Sequence, residues 1–143
     1  MTTKSHVVFS AALSTVVVAA VVWGVVLAGS PATARLQRFD HQRLEDLRTV
    51  FREVQSLCQD PDMKDKLKRT LPESLDELAA LARSERINST DPETGQQYIY
   101  TVKDETTYEL CATFSTERAS DMEVFWNHPS GRHCFTVDAL DPP

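Results

Sequence analysis

The stretch "DPETGQQYIYTVKDETTYELCATF", residues 91–114, decides how the polar part of this chain folds. Asp91-Pro92 sets a turn, and Gly95 supplies the freedom for a positive φ that turns often need. Tyr98, Tyr100 and Val102 then alternate with Ile99 and Thr101. After the connection Lys103–Thr106, Tyr108, Leu110, Ala112 and Phe114 alternate with Glu109, Cys111 and Thr113. Side chains two apart share one face of a strand, so each arm has an apolar face and the pair reads as a hairpin.

Working outward, "RHCFTVDA" (132–139) alternates in the same way and predicts a third strand. Between the second and third strands lie a polar loop with Glu117, Asp121 and Glu123, then Val124-Phe125-Trp126 and a turn at 127–131. On the N-terminal side, "RLQRFDHQRLEDLRTVFREVQSLCQD" (35–60) carries Leu44, Leu47, Phe51, Val54 and Cys58 at 3,4,3,4 spacing, the stripe of an amphipathic helix. Arg43, Glu45, Asp46, Arg48, Arg52 and Glu53 are assigned to its solvated faces. "LPESLDELAALARSER" (71–86) predicts a second helix, with Ser74 and Glu77 as a capping box and an apolar face of Leu75, Leu78 and Leu81 or Ala82. Two helices followed by a small antiparallel sheet of about three strands define an α+β class.

The 143 residues are not uniform. Val7–Ala28 holds 22 residues without a charge, and about 20 apolar residues span a bilayer core as helix. The organisation expected is therefore a short tail (1–6), a transmembrane helix (7–28), a juxtamembrane linker (29–34) and an α+β domain (35–143). The run exceeds the usual length of a signal h-region, which favours an uncleaved anchor; cleavage after Ala34, at Ala32-Thr33-Ala34, would instead release a secreted domain. Beyond the run stand 14 basic and 21 acidic residues, net −7. That balance excludes a nucleic-acid partner, because phosphate binding needs clustered Lys and Arg. Lys4 lies on one side of the run and Arg35, Arg38 and Arg43 on the other, which by the positive-inside rule retains the domain. The short N-terminal tail and the cysteines argue for the opposite orientation, with the C-terminal domain outside the cytoplasm, periplasmic in a Gram-negative cell.

The order of apolar helix, amphipathic helix, "LPESLDEL", "DPETGQQYIY" and "TTYELCATF" resembles the major pseudopilin of type II secretion and its pilin-like relatives over roughly residues 7–114. Its most specific piece is Asp91, Pro92, Gly95, Tyr98 and Tyr100, read with Tyr108 and Leu110. The chain is similar also to soluble tails of bacterial membrane proteins in "YELCATF" and "HPSGRHCF". The resemblance implies a short antiparallel sheet lying on a long helix, and a role in an envelope or secretion-type complex. It also suggests Ca²⁺ at the acidic loop of Glu117, Asp121 and Glu123, against which stands an ordinary solvated loop, since no Ca²⁺ ligand order is present. Residues 1–10 contain no glycine and residues 1–34 no glutamate, so the family's prepilin processing motif is absent.

No nucleophile elbow, H-E-x-x-H helix or Gly-rich phosphate loop occurs, so no enzyme and no cofactor are expected. Cys111 and Cys134 fall in strands that pair if they are neighbours; a disulfide between them is expected, with two buried thiols as the alternative. Cys58 is assigned to core packing, with an intermolecular disulfide as the alternative. His128, His133 and Cys134 match no zinc spacing, and no metal is expected. His41 and Asp40 are read as solvated. Phe125 and Trp126 either cap the sheet or form an interaction patch. The leading expectation is an anchored interaction domain, with the membrane bound through 7–28 and protein partners. The rival is an anchored ligand sensor or small enzyme with its site near Trp126, His128 and His133.

Overall fold

The computed structural model describes residues 2–28, 30–60, 66–82 and 86–143, with side chains at 2–5 and 27–28 left aside. Two compact units divide the chain, Met1–Arg35 and Leu36–Pro143. The first unit contains α1 (Thr2–Ala28) and the start of α2 (Pro31–Cys58). From Val7 to Val26 every large apolar side chain of α1 is exposed. By length and composition this apolar helix suffices to cross a membrane. Helix extends beyond the expected tail, since Thr2–His6 already belong to α1. The linker expected at 29–34 is largely helix as well. Pro31 stands at the first helical position, where its missing N–H costs nothing, and the Ser30 hydroxyl accepts from the Ala32 N–H (3.3 Å). Gly29 lies outside the described residues.

The second unit is α+β. Its elements are the rest of α2, a short α3 (Leu75–Leu81), β1 (Ile99–Val102), β2 (Thr107–Phe114), a single 3₁₀ turn at Val124–Trp126, and β3 (Gly131–Asp138). The sheet runs β1-β2-β3, antiparallel throughout. Tyr100 faces Leu110 across the first pair and Leu110 faces Phe135 across the second. That register puts Tyr108, Leu110, Ala112, Phe114, Phe135 and Val137 on one buried face, as the alternation requires. Against them lies the α2 stripe of Leu44, Leu47, Val50, Val54 and Cys58, with Leu71, Leu75 and Leu78 completing the core. Val50 takes the fully buried place that the 3,4 spacing assigned to Phe51; Phe51 is half-buried and meets Trp126 edge to face at 5.8 Å.

Helix α3 is shorter than 71–86. The Ser74 hydroxyl accepts from the Glu77 N–H (3.1 Å), while the Glu77 carboxylate accepts from the Glu73 N–H (2.7 Å) rather than from Ser74 itself. It ends at Ala82, whose extended backbone stops the helix; Arg83–Glu85, which the sequence reading included, lie outside the described residues. Leu75 and Leu78 are buried, and Leu81 and Ala82 are half-buried.

Candidate functional site

The most constrained cluster of side chains sits where the N-terminal half of α2 meets the 91–95 turn and the chain leaving β2. Asp91 shapes that turn. Its carboxylate accepts from the N–H groups of Glu93 and Thr94 (both 2.8 Å), and its carbonyl accepts from the Gly95 N–H (2.8 Å). Gly95 closes the turn at φ +69°, a region most side chains avoid. Arg43, on α2, is 2% exposed and reaches into the same place. Its Nε donates to Asp91 Oδ2 (2.5 Å) and its Nη2 to Asp91 Oδ1 (3.1 Å), a bidentate pair. Nη2 also donates to Glu93 (2.7 Å), and Nη1 donates to Asp40 Oδ1 (2.8 Å) and the Ser115 hydroxyl (3.2 Å). All five guanidinium N–H groups are thereby used.

Asp40 completes the clamp. It accepts from the Ser115 and Thr116 backbone N–H groups (2.8 and 2.7 Å) and from the Thr116 hydroxyl (2.7 Å). One arginine thus joins three segments distant in sequence. The electrostatics follow from competition between burial and bonding. Burial pushes the Asp91 carboxyl up, but Arg43 and the two turn N–H groups outweigh it and hold it at about 2. Asp40 is likewise pushed up by burial and brought below the usual carboxylate range by Thr116, Ser115 and Arg43. Burial depresses Arg43, yet its three carboxylates raise it overall. Asp46, one turn further along, accepts from the Tyr98 hydroxyl (2.8 Å) and the Asn88 amide (3.0 Å); burial dominates there and raises its carboxyl.

Arg43, Asp40 and Asp46 therefore correct the assignment of those residues to solvated faces. Glu53 is buried as well. A signal for the first two existed: the stripe continued backwards by four residues from Leu44 and from Leu47 lands on Asp40 and Arg43.

Cys111 and Cys134 are directly paired across β2 and β3 and are joined by a disulfide (S–S 2.08 Å, 23 residues apart). Closing a loop of that size stabilises by about 3 kcal/mol. Cys58 is a fully buried free thiol, raised by burial. His133 and Cys134 are sequence neighbours in a strand and so point to opposite faces of the sheet. His133 meets Phe135 edge-on at 4.7 Å, while His128 stacks on Phe114 at 3.6 Å, its pKa lowered by burial. The structure does not gather these groups into a metal site. Among the described residues, Glu109 with Cys111 and Cys134 are the His, Cys, Asp or Glu groups close enough to share an ion, and both sulfurs there are committed to the disulfide.

The loop after β2 is tied into shape rather than loose. Arg118 and His128 exchange backbone hydrogen bonds (2.9 and 3.2 Å), and the Asn127 amide clasps Ser120 at both its N–H (2.7 Å) and its carbonyl (3.0 Å). Glu123 pairs with Arg48 (2.7 Å) and with Arg118, so it is a neutralised anchor rather than one of three free Ca²⁺ ligands. Phe125 and Trp126 are half-buried. Trp126 lies against Phe135 (5.0 Å) and under the Arg48 guanidinium (5.5 Å). They cap the sheet, and the apolar side chains that project from this tip are their neighbours, Met122 (94% exposed) and Val124 (67% exposed). At the other end of the unit a groove of about 1010 Å³ runs beside β1 and the β1–β2 turn.

No protein-family model, curated protein or solved structure matches this chain.

Proposed function

We infer that this chain is a single-pass, membrane-anchored protein whose C-terminal α+β domain lies outside the cytoplasm and acts by contact with other proteins, as part of a bacterial envelope or secretion-type complex. The observation that carries the reading is the pairing of α1, whose large apolar side chains from Val7 to Val26 are exposed, with a folded unit closed by the Cys111–Cys134 disulfide. Exposed apolar surface on that scale needs lipid or protein to cover it, and a disulfide persists in oxidising compartments. The order of a long helix, a short helix, a D-P-x-T-G turn and a three-stranded antiparallel sheet supports the likeness to pseudopilins at the level of architecture. The turn residues Asp91 and Gly95 serve structure in this reading, and no catalytic activity is assigned.

Protease added to spheroplasts tests it. Digestion of residues 36–143 with survival of an α1-containing fragment is expected, whereas full protection until detergent is added would reverse the orientation. Mass spectrometry of unreduced protein from the same cells should recover the Cys111–Cys134 linked peptides.

A further inference from the structure

The face of the sheet turned away from the core carries the disulfide. Glu109, Cys111 and Thr113 of β2 lie on that face, opposite Thr136, Cys134 and Arg132 of β3. Glu109 and Cys134 are half-buried there, and Cys111 is 3% exposed, in a cavity that Arg132 also lines. The Glu109 carboxylate and both sulfurs lie within 4.8 Å of one another. The carboxylate also holds the Lys103 ammonium (2.8 Å). Two thiolates and a carboxylate on one sheet face are a donor set for zinc, which takes sulfur at about 2.3 Å in a tetrahedral arrangement. That arrangement sets two bound sulfurs about 3.8 Å apart. Cys111 and Cys134 oppose each other with Cα atoms 4.0 Å apart. Once the S–S bond is open, their side chains reach that separation by rotating, with the strand register unchanged.

We propose that Glu109, Cys111 and Cys134 form a zinc site that a dithiol reductant uncovers: the oxidised chain holds the disulfide, and the reduced chain holds a Zn²⁺ ion in its place. The exchange begins at Cys134, the more exposed of the two cysteines. A thiolate of the reductant attacks Cys134 Sγ, the S–S bond breaks, and Cys111 leaves as a thiolate in the cavity it shares with the Arg132 cation. The second thiol of the reductant then attacks the mixed disulfide and frees Cys134. Two electrons pass to the protein, and the dithiol ends as a disulfide. Its two protons are released when Zn²⁺ takes both protein sulfurs as thiolates. Glu109 gives up Lys103 to become the third ligand, and water fills the fourth position. The ion then links β2 to β3 where the disulfide did. The site belongs to the folded domain and does not depend on the anchored reading above.

The test uses the full chain in mild detergent, reduced with a phosphine that is then removed without air. It is titrated with Zn²⁺, and with Cd²⁺ as a thiophilic stand-in whose thiolate bonds absorb in the ultraviolet. The reduced chain should take up either ion in a single site. The oxidised chain, in which Cys58 is the remaining thiol, should take up neither. Zn²⁺ should raise the urea midpoint of the reduced chain, or refold it if reduction alone unfolds it. Glu109→Gln should weaken binding by about tenfold or more, since loss of a group that merely supports a zinc ligand already costs that much. Lys103→Met should tighten binding about threefold, because it frees Glu109 from an exposed ion pair. These two variants separate a three-ligand site on the folded sheet from two reduced cysteines that bind metal in any conformation. Equal uptake by the oxidised chain overturns the proposal. So does a reduced chain that takes up no ion, a Glu109→Gln chain that binds as tightly as its parent, or a Lys103→Met chain that binds more weakly.

Discussion

The two ends of the sheet are held by opposite chemistries. At the Phe114 end the fixing groups are ions: Arg43 with Asp40 on its own helix and with Asp91 and Glu93 on the 91–95 turn, each bond directional. At the Thr107 end the fixing groups are mostly rings and small apolar side chains, with one polar tie from the Gln59 amide to the Ala139 carbonyl (2.5 Å). Tyr100 and Tyr108 meet at 5.5 Å beside Cys58, and neither buried hydroxyl has a hydrogen-bond partner among the described residues. Burial raises both phenols, Tyr108 with a contribution from Tyr100 and Tyr100 with one from Cys58. The difference follows from what each end must join. Three chain segments that are not sheet neighbours meet at the first end, and only directional bonds fix their angles. At the second end α2 meets strands already registered by their own ladder, and close packing is enough.

The sharpest way to break the comparison is Arg43→Met. Removing one partner of a buried ionic cluster strands the others, and a loss of about 3–5 kcal/mol is expected in urea unfolding of the full chain in mild detergent. A loss below about 1 kcal/mol would show that the clamp does not hold that end. Opening the disulfide with Cys111→Ser and Cys134→Ser should cost about 3 kcal/mol. Cys111 lines the same cavity as Arg43 and Asp91, so a double-mutant cycle with Arg43→Met measures how far the disulfide and the clamp are coupled, a departure from additivity above about 0.5 kcal/mol marking coupling.

Acid probes the same clamp by a smaller amount. Asp91 has a folded pKa of about 2, below its unfolded value of about 3.9. Its stabilisation, roughly 2–3 kcal/mol, is complete above the unfolded pKa and is lost as the pH falls toward 2. Asp40 shifts in the same direction and adds to the loss. In Arg43→Met both carboxyls lose their cation but keep the Thr94, Glu93, Ser115 and Thr116 donors, so the acid-dependent loss should shrink relative to the parent chain. Unfolding curves taken from pH 6 to pH 2 on both proteins check the difference. The smallest effect is expected at the other end. Tyr108→Phe deletes a hydroxyl that has no partner, so stability should change by less than about 0.5 kcal/mol or rise. A loss of about 2 kcal/mol would mean that this end too depends on a polar bond.

The apolar end was the legible one. Period-two alternation places Tyr98, Tyr108, Leu110, Ala112, Phe114, Phe135 and Val137 inward, where the structure buries them, because strand register is a local property of the pattern; Val102, expected on the same face, is instead exposed at the end of the edge strand β1. The cysteine pairing follows once those strands are neighbours. The clamp was hidden for a physical reason. An arginine on a helix is solvated unless something distant covers it, and what covers Arg43 is a turn 48 residues later. The only local trace is its place on the backward extension of the Leu44–Leu47 stripe. The prominence of Met122 and Val124 was equally out of reach. Their exposure depends on Trp126 folding back onto Phe51 and Phe135, contacts that no spacing within the loop encodes.

Cys58 gives the molecule a reporter that needs no engineering. It is the one free thiol, it is fully buried under the apolar end of the sheet, and its Sγ donates to the Thr70 carbonyl (3.8 Å). A thiol reagent reaches it only when the packing of α2 against the strands or against the 68–71 segment opens, so the labelling rate reports those openings. Followed beside the acid titration, it distinguishes an unfolding that begins at the clamp and spreads from one that leaves the far end closed.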